Sequence, residues 1–388
     1  MSIVLRGITW DHTRGYLPMA ATSQRFAEMY PEVTILWEKR SLQQFADEPI
    51  QALTEKYDLL VIDHPWAGYA SESGVLLPLN EYLPEDFLQN QVMNSVGQSH
   101  SSYSFNGCQT ALAIDAATPV ASWLSDVLER EEEHVPSTWE ELISLAQKNL
   151  VLFPAIPIDS LMNFYMLCLA HGEEPFAGSE TIVSFEKAQA ALEALRELAS
   201  YCRPEIFGMN PIAVYEYMST SDEIGYCPFA YGYSNYARAG YSRMPLSFGD
   251  LAAYKDFGPL RSTLGGTGLA VSAACRHREV AVRYAQYAAS EEVQRTLYTM
   301  AGGQPGHRMA WIDEETNRCT HDYFKQTLPA LDRAYVRPRY NGYLHFQDHA
   351  GDHVREYMMQ GGDARRIWEQ MNRLYRESLD ISKERRIG

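Results

Sequence analysis

The sequence predicts an α/β protein of two lobes, each an open sheet flanked by helices. Three observations carry that prediction. Apolar strand-like runs and amphipathic helical patterns alternate through the first hundred residues. The 388 residues suffice for two hydrophobic cores. A glycine-rich turn, Gly265-Gly266-Thr267-Gly268, runs into a late apolar strand that ends at Ser272.

Ile3 to Leu5 reads as the first strand. Met19, Ser23, Phe26, Ala27 and Tyr30 then fall on one helical face, and Pro31 ends that helix. Val33 to Trp37 is a β-branched strand. Ser41 to Tyr57 is helical with Leu42, Phe45, Ile50 and Leu53 inward, and Pro49 is expected to break or kink it. Leu59 to Ile62 is continuously apolar, the pattern of a strand covered on both faces of a parallel sheet. Ala111 to Ile114 reads as a strand ending at Asp115, followed by an Ala-Thr-Pro turn and a short helix. Ser137 with Glu140, or Thr138 with Glu141, makes a capping box ahead of the stripe Trp139, Leu142, Ile143 and Ala146. Helices are expected over Glu186 to Tyr201, over Arg278 to Met300 with a break near Ser290, and over the amphipathic tail from Gly362 to Leu379. The cluster Gly302-Gly303-Gln304-Pro305-Gly306 reads as a loop.

Composition narrows the function. Fifty Asp and Glu against 33 Lys and Arg give a net charge of −17, a field that repels phosphate backbones and anionic lipid. No nucleic-acid partner is expected. No apolar run reaches the roughly 18 to 20 residues of a membrane helix, so the chain is not expected to be integral to a membrane. Six scattered cysteines form no C-x-x-C pair, so no metal site is expected, and buried free thiols are the expectation. Met1-Ser2 leads directly into Ile3-Val4-Leu5, without a basic segment and an apolar segment before it. The expected location is periplasmic if a leader was removed and cytoplasmic if Met1 is the native start.

Ligands of open α/β sheets bind beyond the carboxyl ends of the strands. After the first strand come Trp10, Asp11, His12 and Arg14, which place an indole, a carboxylate, an imidazole and a guanidinium in one loop. After Leu59 to Ile62 come Asp63, His64 and Trp66 in the equivalent position. The stretch Tyr226 to Tyr236 is dense in aromatics, with Tyr231 and Tyr233 as ligand candidates, since such faces stack on sugar C–H surfaces and planar groups alike. The turn Gly265, Gly266, Thr267 lets backbone N–H groups approach a ligand closely, and it lacks the Lys-Ser/Thr of a phosphate loop. Gln304 and His307 lie in the later loop. Arg337 and Arg339 read as a solvated basic turn. His345, His349 and His353 share one helical face, but lack the Glu of a metalloprotease. No nucleophile–base arrangement is readable, so no catalytic residue and no cofactor are assigned.

Several of these segments also resemble a known family. Tyr57 to Asp63 is similar to its second strand, Gly74-Val75-Leu76-Leu77-Pro78-Leu79 to its "G-x-L-x-P-L" turn, and Pro136 to Glu141 to its "P-x-T-W-x-E" helix start. Gly265 to Ser272 is similar to its returning strand, and Ala281 to Pro305 to its helix pair and "G-G-x-P" loop. Together they resemble the family 1 extracellular solute-binding proteins, the sugar-type receptors of ABC importers. The resemblance implies a type II periplasmic-binding-protein-like fold, with residues 1–111 and 266–312 in one lobe and 112–265 and 313–388 in the other. It implies a monomer that closes on a small polar solute, a carbohydrate or a sugar-derived compound, in the interlobe cleft, and docks on a permease if exported. Trp10 and Trp66 would stack on the solute, Asp63 and Asp115 would accept hydroxyl protons, and Arg14 and His64 would donate. The matching family position of Asp115 commonly touches ligand. The alternative is a cytoplasmic enzyme or ligand sensor on the same fold, acting on a small oxygen-rich or anionic metabolite. The missing leader, the free thiols and the cluster Asp11, His12, Arg14, His64 motivate it.

Overall fold

The computed structural model describes residues 2–178 and 180–384, with backbone alone at 43, 46, 47 and 382–384. Among the described residues ten strands follow in chain order: β1 (Ile3–Trp10), β2 (Val33–Arg40), β3 (Leu59–Ile62), β4 (Ser104–Phe105), β5 (Cys108–Gln109), β6 (Leu112–Ala117), β7 (Pro119–Trp123), β8 (Tyr226–Tyr231), β9 (Ser247–Gly249) and β10 (Gly265–Val271). The chain forms two compact units. Unit 1 comprises residues 1–117, 264–325 and 339–341, and unit 2 comprises 118–263, 326–338 and 342–388.

Unit 1 is built on a five-stranded sheet in the order β2-β1-β3-β10-β6. β1 runs parallel to β2 and β3, whereas β10 is antiparallel to both β3 and β6. The apolar run of β3 serves both faces. Leu59 and Val61 join a core with Leu5, Met19 and Phe26, while Leu60 and Ile62 join a second with Ile8, Tyr103 and Ala270. Burial of such side chains stabilises by about 1.5–3 kcal/mol each. Pro49 splits the expected helix in two, Leu42–Asp47 and Ile50–Thr54, because it cannot donate within a helix. Ser290 likewise ends the helix Arg278–Ala289.

Unit 2 holds a smaller antiparallel sheet, β8-β7-β9, among helices. Of these, Pro157–Ala170 is buried over nearly all its residues, as its apolar circumference requires. Helix Trp139–Gln147 starts as a capping motif: Thr138 accepts from the Glu141 N–H at 3.2 Å, and the Glu141 carboxylate accepts from the Ser137 N–H and hydroxyl. Helices Phe185–Ser200 and Ala364–Glu384 fall where the apolar periodicity placed them.

One segment departs from the sequence reading. Residues 116–123 form the end of β6 and all of β7, not a turn and a short helix, and the helix starts only at Ser125. The alanines favour a helix locally, but β10 pairs with β6 on one side of the crossing, and β8 and β9 pair with β7 on the other. Pro119 is tolerated because it opens its strand. The pairing of β6 with β10 also carries residues 112–117 into unit 1, and residues 313–325 belong there too.

Candidate functional site

The carboxyl ends of β1 and β3 in unit 1 gather most of the polar candidates. Trp10 ends β1 and turns into the core: it is 3% exposed, packs on Phe45 at a 5.5 Å centroid distance and covers Gly15. A ring held this way offers no open face for stacking, so Trp10 supports the loop from beneath. Asp11 is exposed and paired with Lys39 at 2.8 Å. His12 caps the helix Thr13–Met29, its Nδ1 accepting from the Arg14 N–H at 3.0 Å. That bond places the imidazole proton on Nε2, as a donor. Burial, reinforced by the Arg14 charge, pushes the His12 pKa down to about 4, so the ring is neutral at pH 7.

From the first turn of that helix Arg14 reaches Asp115 on β6. Its Nε donates to Oδ2 at 2.8 Å and its Nη2 donates to Oδ1, a bidentate pair with both side chains almost wholly buried. Burial pushes the Asp115 carboxyl up, while Arg14 and the Gln304 N–H pull it back down. Arg14 and Asp115, expected to meet ligand as donor and acceptor, face each other in the structure, and the pair ties the first helix to β6.

β3 ends in Asp63, which is half-buried and accepts from the His64 N–H at 2.8 Å. His64 is fully buried, its ring edge-on to Tyr103, whose hydroxyl donates to the Ile62 carbonyl at 3.2 Å. Trp66 follows one turn later. It is only partly buried, with Tyr69 edge-on at 5.8 Å, and so keeps indole surface at the strand end.

The loop around Gln304 extends this sheet at the β6 edge. Gln304 exchanges two hydrogen bonds with the Ala116 backbone, and Gly306 N–H donates to the Ile114 carbonyl. Gln304 is thus a buried brace. His307 is also buried, caps the short helix Arg308–Trp311 and lies 3.0 Å from Asn90 Oδ1. Gly265, Gly266 and Thr267 lie in β10, paired with Ala117, Ala116 and Asp115. Gly266 has φ +98°, and a Cβ there would lie 2.3 Å from the Asp115 carbonyl oxygen. Gly266→Ala is expected to cost about 1–3 kcal/mol through backbone strain, with the clash adding to it, read as a lowered Tm.

In unit 2, Tyr231 ends β8 partly exposed, its hydroxyl 2.7 Å from Thr263 Oγ1. Tyr233 is 4% exposed and packs with Tyr215 and Tyr236. Tyr236 donates to Glu216 at 2.6 Å. This tyrosine cluster is mostly unit core, and only Tyr231 presents its ring.

Sequence reading did not single out Tyr103 or Arg40. Arg40 is buried at the end of β2, donating to the Val61 carbonyl and lying 3.6 Å from Glu48. Nothing in its local sequence distinguishes it from a solvated arginine. Arg339, expected on a solvated turn, is instead half-buried and donates to the carbonyls of Ser101, Ser102 and Ser104 at the end of a helical turn. No group of three side chains that could hold a metal ion occurs among the described residues, and the His345 and His349 rings lie 4.7 Å apart, tilted at 42°.

The α/β architecture is that of the periplasmic-type solute-binding proteins. The profile of the bacterial extracellular solute-binding proteins matches residues 21–307, and the chain belongs to that family. MalE3 of T. maritima, maltose-bound, has a TM-score of 0.83 at 16% identity, covering 96% of this chain and 98% of its own. An ABC transporter solute-binding protein from Agrobacterium radiobacter K84, in complex with ribitol, has a TM-score of 0.81 at 16% identity, covering 98% of both chains. UgpB from Mycobacterium tuberculosis, in complex with glycerophosphocholine, has a TM-score of 0.80 at 16% identity, covering 98% of this chain and 99% of its own. No curated protein sequence matches the chain.

Proposed function

We infer that this chain captures a small polyhydroxylated solute, a sugar or sugar alcohol, and presents it to an ABC importer. One observation carries the reading: in a member of the solute-binding family, His12, Asp63 and Trp66 stand partly exposed at the carboxyl ends of adjacent strands. These supply a donor, an acceptor and an apolar face, the three contacts a sugar ring needs. The fold neighbours that hold maltose, ribitol, mannitol and tagatose support the same class. Tyr231 of unit 2 is a further candidate contact. On this reading the protein acts outside the cytoplasmic membrane, as a monomer beside a permease, and its membership of an extracellular solute-binding family supports that location. Among the described residues no helix is long and apolar enough to cross a membrane.

Thermal-shift screening against neutral sugars, sugar alcohols and sugar acids tests the reading. A true ligand at a hundredfold excess over its Kd stabilises by roughly 2.7 kcal/mol. Asp63→Ala is expected to weaken binding about 10- to 100-fold, the loss of a charge-assisted hydrogen bond. A flat response to every solute class would remove the proposal.

A further inference from the structure

Unit 2 contains a hollow of about 530 Å³ that the solute reading does not use. Residues from the C-terminal halves of helix Phe185–Ser200 and helix Tyr343–Gln360 line it, together with Pro204 and Phe207 of the turn Pro204–Gly208. Its size lies within the range of small-molecule sites, about 300–1,000 Å³. Tyr357 and Met358, both buried, and the half-buried Phe207 give it an apolar floor. Glu193 and Arg196, one helical turn apart and exposed, stand at its mouth, and both act electrostatically on Tyr357.

Arg196 differs from its neighbours. Arg203, Arg261 and Arg366 of the same unit each hold a carboxylate within 3.0 Å. Arg196 makes no ion pair or hydrogen bond among the described residues. Its guanidinium lies over the turn at Gly361, where a Cβ would come within 2.5 Å of Cζ. Gly361 has φ +69°, so glycine both ends the helix and leaves room for that guanidinium. In a chain carrying a charge of −17, an arginine without a carboxylate above an aromatic floor is poised for an anionic group supplied from outside.

We propose that this hollow binds a free α-amino acid with a large apolar side chain. The carboxylate meets Arg196 as a bidentate acceptor, the ammonium meets Glu193, and the side chain enters the hollow against Phe207, Tyr357 and Met358. The rim carries Glu193, Arg196 and Glu197, with Gln189 donating to Glu193 at 2.7 Å, so a zwitterion meets both signs of charge there. A simple acid leaves Glu193 facing an anion, and a simple amine leaves Arg196 facing a cation. The site lies wholly in unit 2, and the proposal stands independently of which solute unit 1 contacts.

Calorimetric titration of the full chain with L-phenylalanine tests it, alongside 3-phenylpropionate and phenethylamine, which each lack one charge. Saturable binding of phenylalanine, tighter than either analogue, is expected. Arg196→Gln is expected to weaken it about 10- to 100-fold, with the ligand-free Tm unchanged because the side chain is exposed and unpaired. Glu193→Gln is expected to bring phenylalanine and phenylpropionate to similar affinity. No binding of phenylalanine, undiminished binding to the Arg196 variant, or an analogue equal to phenylalanine in the unmodified protein would overturn the proposal.

Discussion

Asp115→Ala is expected to destabilise the protein by about 3–5 kcal/mol, the cost of removing one member of a buried ion pair. Asp115 and Arg14 are chelated to each other with almost no exposed surface, so the substitution takes away the carboxylate and leaves the cation in a low-dielectric interior. In a unit of this size a loss of that order lowers Tm by roughly 10 °C. The double replacement Arg14→Met with Asp115→Leu separates charge from shape. If the pair acts as an electrostatic tie, the double variant recovers most of the loss, because similar apolar volume replaces both ions at about neutral cost. A double variant as unstable as Asp115→Ala would mean that β6 needs the hydrogen-bond geometry itself. Solute binding by the folded double variant also separates a supporting role for Arg14 from direct contact.

The second large effect concerns Asp159, a carboxyl that serves no proposed function. It sits in the first turn of helix Pro157–Ala170, almost wholly buried, and its Oδ2 accepts no hydrogen bond. Burial pushes its pKa from the ordinary 3.8 up to about 8. The folded protein therefore holds the proton where the unfolded chain releases it. Its stabilising effect is complete below about pH 4, declines as pH rises toward 8 and is lost above. The full swing is on the order of 6 kcal/mol, less whatever the helix N-terminus returns to the anion. Asp159→Asn keeps the shape and removes the ionisation. The stability difference between variant and unmodified protein, from urea unfolding at a series of pH values, is expected to be small at pH 4 and to grow in the variant's favour up to pH 8. A difference that does not change with pH would show that Asp159 is solvated or paired in solution.

The residues differ in how openly they declare themselves. The run Leu59 to Ile62 identified a doubly covered strand because each of its side chains is apolar, and the structure divides them between two cores. Pro49 and the Thr138–Glu141 cap were equally legible, since their chemistry is local. At the strand ends, sequence order placed His12, Asp63 and Trp66, which the structure leaves partly exposed. The rule that ligands meet carboxyl ends also selected Trp10, Arg14 and His64, which carry the same polar or aromatic chemistry yet face inward. A residue's position along a strand says that it lies near the end, not which way its side chain turns.

What the sequence determined alone is therefore the periodic and the local: the α/β class, the order of most elements, their caps and breaks, and the addresses at which polar groups collect. Tertiary structure decided the rest. It made strands of the alanine-rich crossing at 116–123, joined Arg14 to Asp115 across a hundred residues, and left Arg196 without an ion pair among the described residues beside a hollow. The physical reason is common to all three. Periodicity and capping are settled within a helical turn or a strand, whereas β-pairing, burial of charge and the presence of a countercharge depend on segments distant in sequence.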